Sequence, residues 1–264
     1  MTTFLDIVKN CDNFPYPDEK VDEENLMLIT VPLLLDNVKI GLIPQTTIPA
    51  LKKYNEQHKK PCPFIIEDTF ITFASHLNTF EERTQAIKNL LKTWREEKTF
   101  PALEGELKKI SNTDGEMNLL TFGIHLSAYI RTPEGKLKMW IAKRSKTKHK
   151  WPGCLDNTVA GGISYMLTAT ETVVKEAMEE ASLPAEIAEK AVPVGALTYF
   201  LVTKNGLQPE VKTRILADEF KPNCALVIID FMIRHSIINP ENEPSYLEIL
   251  NRLHRRLEFP TPSS

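Results

Sequence analysis

The sequence is poor in the patterns that mark several familiar chemistries. Its four cysteines, Cys11, Cys62, Cys154 and Cys224, stand far apart and form no CxxC pair, so they read as incidental thiols of a reducing compartment. The 6 histidines are scattered without HExxH spacing, which leaves a zinc site unsupported. There is no G-x-S-x-G elbow, and no base stands beside Cys154 in sequence, so serine or cysteine hydrolysis has no carrier. The first residues mix Asp with Lys and contain no long apolar run, unlike a signal or transit peptide. No apolar stretch is long enough to span a bilayer, and the expected location is cytoplasmic. A net charge of −3 lacks the basic excess of a general nucleic-acid binder, although a few local cations suffice for a small phosphorylated substrate.

What is present is an ordinary globular composition, 42% hydrophobic and 25% charged over 264 residues, enough for one to two domains. The first part alternates strand and helix patterns. Leu26 to Ile43 reads as strands around the turn Asp36-Asn37, Ile48 to Tyr54 as a short helix with Pro49 in its first turn, and Phe64 to Phe73 as strand. Thr79 and Glu82 have capping-box spacing ahead of an apolar face of Ala86, Leu90, Leu91 and Trp94. The polar stretch Ser111 to Glu116 is the best linker, dividing residues 1–115 from 116–264.

Beyond the linker, Leu119 to Ile130 and Leu137 to Ala142 look like strands around the turn Thr132 to Gly135. A loop through Trp151-Pro152-Gly153 leads to an apolar run ending in Gly161-Gly162, then a helix, then a strand from Val192 to Val202. For Ala225 to Ile233, Asn223 as cap and the apolar spacing favour helix; Ser245 and Glu248 open a last helix ending near Leu257. The fold class is mixed α/β (α+β).

The helix over Thr170 to Ala181 carries the chemistry. At about 3.6 residues per turn, Val174, Ala177, Met178 and Ala181 form an apolar stripe, and Glu176, Glu179 and Glu180 gather on the opposite side. An acidic helix face is most often simply solvated. Two features favour a divalent metal instead. A glycine pair precedes the helix, where a backbone can approach a phosphate closely, and the cations Lys143, Arg144, Lys146, Lys148 and Lys150 lie just upstream.

The segment from Gly161 through Lys175-Glu176-Ala177-Met178-Glu179-Glu180-Ala181-Ser182-Leu183 resembles a Nudix box. Three positions depart from the general pattern: Leu167 stands for its first glutamate, Lys175 for its arginine and Ser182 for its glycine. Leu155 to Gly162, Lys175 to Pro184, Phe220 to Val227, Pro240 to Pro244 and Leu253 to Leu257 are similar to a eukaryotic, thiamine pyrophosphokinase-related Nudix subgroup, in which these substitutions are usual. The resemblance implies a Nudix α/β/α sandwich with a mixed sheet, preceded by a smaller α/β domain. It implies a metal-dependent pyrophosphohydrolase that removes the terminal phosphate of thiamine diphosphate or its damaged oxo and oxy analogues. It implies Glu176, Glu179 and Glu180 as ligands of Mg²⁺ or Mn²⁺ and as catalytic residues. Gly161, Gly162, Lys175 and Arg144 are the candidate substrate contacts. The partner is a small diphosphate, with neither nucleic acid nor membrane.

One departure is larger. Subgroup members carry a longer segment, with a strand and an acidic turn, where this chain has only Lys212 to Asp218 after Gln208 to Val211. A deletion, an alternative transcript or a wrong gene model accounts for it. Two alternatives therefore stand beside the hydrolase: a Nudix-fold binding module that has lost activity, and a hydrolase of another nucleoside diphosphate derivative.

Overall fold

The computed structural model describes residues 3–16, 19, 29–58, 61–100, 122–147, 151–164, 167–199 and 219–257. The linker stretch Ser111 to Glu116 and the short bridge Lys212 to Asp218 lie outside them. The chain divides into two compact units. The mixed α/β class is borne out, with parallel and antiparallel pairing in one sheet.

One unit contains residues 29–100. Strands β1 (Thr30–Leu35) and β2 (Val38–Pro44) form a hairpin whose turn residues, Asp36 and Asn37, both have positive φ of 50° and 65°. That is the primed turn geometry that matches strand twist, and Asp and Asn tolerate it better than bulky residues. Helix α2 (Ile48–Gln57) starts with a proline in its first turn, as expected. The stretch Phe64 to Phe73 is not one strand but a second hairpin, β3 (Phe64–Ile66) and β4 (Ile71–Phe73), because Glu67 and Phe70 close a turn between them. The sheet order is β2-β1-β4-β3, with β1 and β4 parallel. Helix α3 (Phe80–Glu96) begins with the complete Thr79/Glu82 capping box and buries Ala86, Leu90, Leu91 and Trp94. Leu90, Leu91 and Trp94 pack with Leu33, Ile43, Leu51, Phe64 and Ile71 into one core.

The other unit brings residues 3–13 together with 122–199 and 219–257. Helix α1 (Phe4–Cys11) has its own capping box, Thr3 with Asp6. It packs with α6 (Pro222–Arg234) and α7 (Tyr246–Leu253) through Ile7, Val8, Cys11, Leu226, Ile229, Ile249 and Leu253. The helix reading of Ala225 to Ile233 holds, but Pro222 opens it after Lys221, so Asn223 is not the cap. The last helix ends at Leu253 rather than Leu257. Ser245 makes no side-chain cap; its N–H donates to the Glu243 carboxylate. Buried Asp12 binds Arg255 at 3.0 Å, which ties α1 to the chain after α7.

Strands in this unit are short ladders: β5 (Gly123–Leu126) with β10 (Val159–Gly162), β6 (Tyr129–Arg131) with β7 (Leu137–Met139), and β8 (Ala142–Lys143) with β9 (Leu155–Asp156). Leu119 to Ile130 is thus broken between β5 and β6. Among the described residues of Val192 to Val202 the expected strand is reduced to one bridge, Thr198 with His254. Helix α4 (Ala169–Ala181) lies against β10 and β5, followed by the single turn α5 (Ala185–Ala188).

Candidate functional site

Helix α4 begins at Thr168, whose hydroxyl accepts from the Glu171 N–H while the Glu171 carboxylate accepts from the Thr168 N–H and hydroxyl. It ends at Ser182, in the left-handed conformation with φ of 52°. The Ser182 N–H and, at 3.1 Å, the Leu183 N–H both reach back to the Ala177 carbonyl and close the helix end. A serine therefore occupies a backbone position that glycine fills without steric cost, which explains why the family pattern has glycine there.

The buried stripe of α4 differs from the expected one. Ala177 is fully buried, with Val173, Val174 and Ala181 against Ile124, Leu126 and Val159; Met178 is 54% exposed. The helix is rotated so that Val173 takes the place assigned to Met178. This rotation turns Glu176 toward the strand instead of leaving it on a solvated face. Its side chain is only 13% exposed, against 54% for Glu179.

Strand β10 receives two of the three glutamates. Glu176 lies directly over Gly161: a Cβ at that position would stand 2.5 Å from its Cδ and 2.9 Å from Oε2. The Ala160 N–H donates to Glu180 Oε2 at 3.3 Å. Lys175 Nζ donates to Glu176 Oε1 at 3.0 Å and to Glu179 Oε2 at 3.2 Å. These bonds, to Glu176 first and Glu179 second, raise the Lys175 ammonium above its ordinary pKa and keep it charged. Gly162 lies in β10 opposite Gly123.

Among the described residues no three His, Cys, Asp or Glu side chains already converge as a metal-holding group. The chemistry of the donor set nonetheless suits a hard divalent cation. All three groups are carboxylates, and one cation, the Lys175 ammonium, already reaches both Glu176 and Glu179.

Arg144, expected at substrate, is bonded elsewhere. Its Nη1 donates to Asp156 Oδ2 at 2.7 Å and its Nε to the Trp151 carbonyl at 3.1 Å. This exposes a cluster that the sequence did not reveal. Buried Asp156 also accepts from the Cys224 thiol at 2.6 Å and from the Asn157 N–H at 2.9 Å. Burial pushes the Asp156 carboxyl up, but the Cys224 thiol, Lys221 and Arg144 outweigh it, and the net shift is downward. His125 Nδ1 donates to Asn157 Oδ1 at 2.8 Å; burial lowers its pKa, so the ring is neutral at neutral pH. The one signal available in sequence was the polar pair Asp156-Asn157 set inside an otherwise apolar run.

A family described as a domain of unknown function, DUF4743, matches residues 3–122. YJR142W, an uncharacterized protein of Saccharomyces cerevisiae, is 30% identical over an aligned length of 329, covering 98% of this chain and 92% of the yeast protein. Two Arabidopsis thaliana proteins, named Nudix hydrolase 20 and Nudix hydrolase 24, chloroplastic, are 26% and 27% identical. They align over 306 and 299 positions, covering 97% and 96% of this chain and 79% and 78% of their own lengths. The chain belongs to the family of the yeast protein, and that family is Nudix-related. Hydrolysis of the Nudix type is the general function these relatives support. All three aligned lengths exceed the 264 residues of this chain, so the relatives carry residues with no counterpart in it. No helix among the described residues is long and apolar enough to cross a membrane.

Proposed function

We propose that the chain is a metal-dependent pyrophosphohydrolase that takes the terminal phosphate from thiamine diphosphate or its oxo and oxy analogues. The observation that carries this reading is the seating of Glu176 on Gly161 and of Glu180 on the Ala160 N–H, which aligns the acidic face of α4 with the glycine strand. Glu176, Glu179 and Glu180 would hold Mg²⁺ or Mn²⁺, which when bound supplies charge neutralisation and activation of water. The chain's own groups do the positioning. Lys175 fixes Glu176 and Glu179 relative to each other, β10 fixes Glu176 and Glu180, and Glu179 would turn an exposed carboxylate toward solvent and substrate. The choice of thiamine derivatives rests on the subgroup resemblance of the sequence.

The test is phosphate release from oxothiamine diphosphate with Mg²⁺, with Glu179→Gln alongside. Release that disappears in the variant supports the reading. No release from folded protein overturns it and favours the binding-module alternative, for which the residues missing relative to the longer relatives speak. Release only from another nucleoside diphosphate derivative would retain the hydrolase and replace the substrate.

A further inference from the structure

The parallel pair β1 and β4 ends in a cavity. Leu34 lies beside Thr72, whose hydroxyl donates to the Leu34 carbonyl at 3.0 Å, so the two strands finish together at Leu35 and Phe73. There the connections part. The chain leaves β1 for β2 on one side of the pair and leaves β4 for α3, while β3 occupies the other side. The crevice outside the carboxyl ends of parallel strands, where connections diverge, is where open α/β sheets take their ligands. Here it is a cavity of about 190 Å³ whose lining includes Asp36, Thr72, Ser75, Asn78 and Arg83. Sites for drug-sized molecules hold roughly 300–1,000 Å³, so the ligand of this one is small.

The polar groups of this cavity are largely unused. Arg83 is fixed through one nitrogen: its Nη1 donates to the Leu77 carbonyl at 3.1 Å and to the Asn78 carbonyl at 3.2 Å, both in the loop before α3. Its Nε and Nη2 have no partner among the described residues. The Asp36 carboxylate, the Ser75 hydroxyl and the Asn78 side-chain amide likewise make no hydrogen bond among the described residues. Asp36 is set in place by the first hairpin turn, at φ of 50°. No ion pair joins it to Arg83, so one cavity presents two opposite charges that do not neutralise each other directly.

The charges select the ligand. A phosphate would meet the Asp36 carboxylate, and the Asn78, Thr79 and Glu82 N–H groups at the start of α3 are already taken by the capping box. A molecule carrying a cation and an anion on separate atoms satisfies both walls. A carboxylate matches the planar fork of a guanidinium, and an ammonium donates to a carboxylate. We propose that this cavity binds a small zwitterion of the amino-acid class, its carboxylate on Arg83 and its ammonium on Asp36, with Ser75 and Asn78 beside them. The site lies within the stretch matched to a domain of unknown function. It stands apart from the hydrolase reading and uses none of the α4 glutamates.

The probes are glycine, L-serine and β-alanine, each added to the full chain at neutral pH and followed by amide shifts. At least one is expected to move the amides of residues 35–37 and 72–78. Arg83→Gln and Asp36→Asn are each expected to weaken that ligand about tenfold. Asp36→Asn keeps the turn, because asparagine tolerates positive φ, so it stays informative if Arg83→Gln disturbs the loop. Acetate, a carboxylate without the ammonium, should bind more weakly and bind Asp36→Asn no worse than wild type. Glu179→Gln should leave all of this unchanged. Circular dichroism shows that each variant is folded. No shift with any of the three zwitterions, or equal binding by folded Asp36→Asn and wild type, overturns the proposal. Phosphate or glucose moving the same amides at lower concentration than the zwitterions also overturns it.

Discussion

Gly161 and Glu176 fit together as a hydrogen atom and a carboxylate stem: the strand has no side chain where the helix lays its glutamate. The requirement for glycine is steric, since Gly161 is not among the positive-φ residues. Gly161→Ala should therefore displace Glu176 and destabilise the chain by about 1–3 kcal/mol, as overpacked contacts do. Urea denaturation measures the loss, and a crystal structure of the variant shows where the carboxylate goes. A variant as stable as wild type with Glu176 unmoved would refute this contact.

Ser182 predicts the opposite sign. A non-glycine residue held left-handed carries a backbone cost, and glycine removes it. Part of the gain is lost because glycine makes the unfolded chain more flexible. Ser182→Gly should raise stability by roughly 0.5–1 kcal/mol. The urea midpoint should rise at unchanged slope; an unchanged or lower midpoint rejects the assignment.

Asp156 and Arg144 are a half-buried to buried ion pair, with side chains 10% and 17% exposed. Asp156→Ala removes the buried carboxylate that Arg144 Nη1 meets at 2.7 Å and should cost about 3–5 kcal/mol, whereas replacing both with apolar residues should cost clearly less. The pair also sets a pH dependence. The folded carboxyl titrates below its ordinary value of 3.8, so its contribution is present above that value and is lost as pH falls through the folded value. Acid unfolding followed by tryptophan fluorescence should show less pH dependence in the Asp156→Asn variant than in wild type.

The thiols should separate into two classes. Burial pushes Cys11 and Cys224 up to about 12, while Cys62 and Cys154 are partly exposed. A disulfide reagent near pH 8 should modify Cys62 and Cys154 in the native chain and reach Cys11 and Cys224 only on unfolding, since the thiolate is the reactive form. Mass spectrometry of partly labelled protein assigns each site, and early labelling of Cys224 would contradict its burial.

Local signals in the sequence identified local structure well. The Thr79/Glu82 spacing gave α3 with its cap and buried face, and Asp36-Asn37 gave the first hairpin, because each depends on a few neighbouring residues. The same holds for placing Glu176, Glu179 and Glu180 on one helix. What could not be read is the rotation of that helix against the sheet. Val173 and Met178 are both apolar candidates for the stripe, and only packing against Ile124 and Val159 decides between them. Arg144 read as a candidate substrate contact, and its bond to Asp156 was not legible because Asp156 is 12 residues away. Phe64 to Phe73 read as one strand because its turn at Glu67 contains neither glycine nor proline.

Helix α1 comes from the first residues of the chain but finishes a core made by residues near its other end. On a ribosome this helix emerges well before α6 and α7 and must wait, amphipathic and unpaired, until both have been synthesised. The intervening residues have time to fold before that closure. A fragment starting at the linker would therefore be expressed with the α6–α7 surface uncovered and with Arg255 deprived of Asp12, so attempts to produce the unit containing α4 alone should retain residues 3–13 by circular permutation rather than by simple truncation.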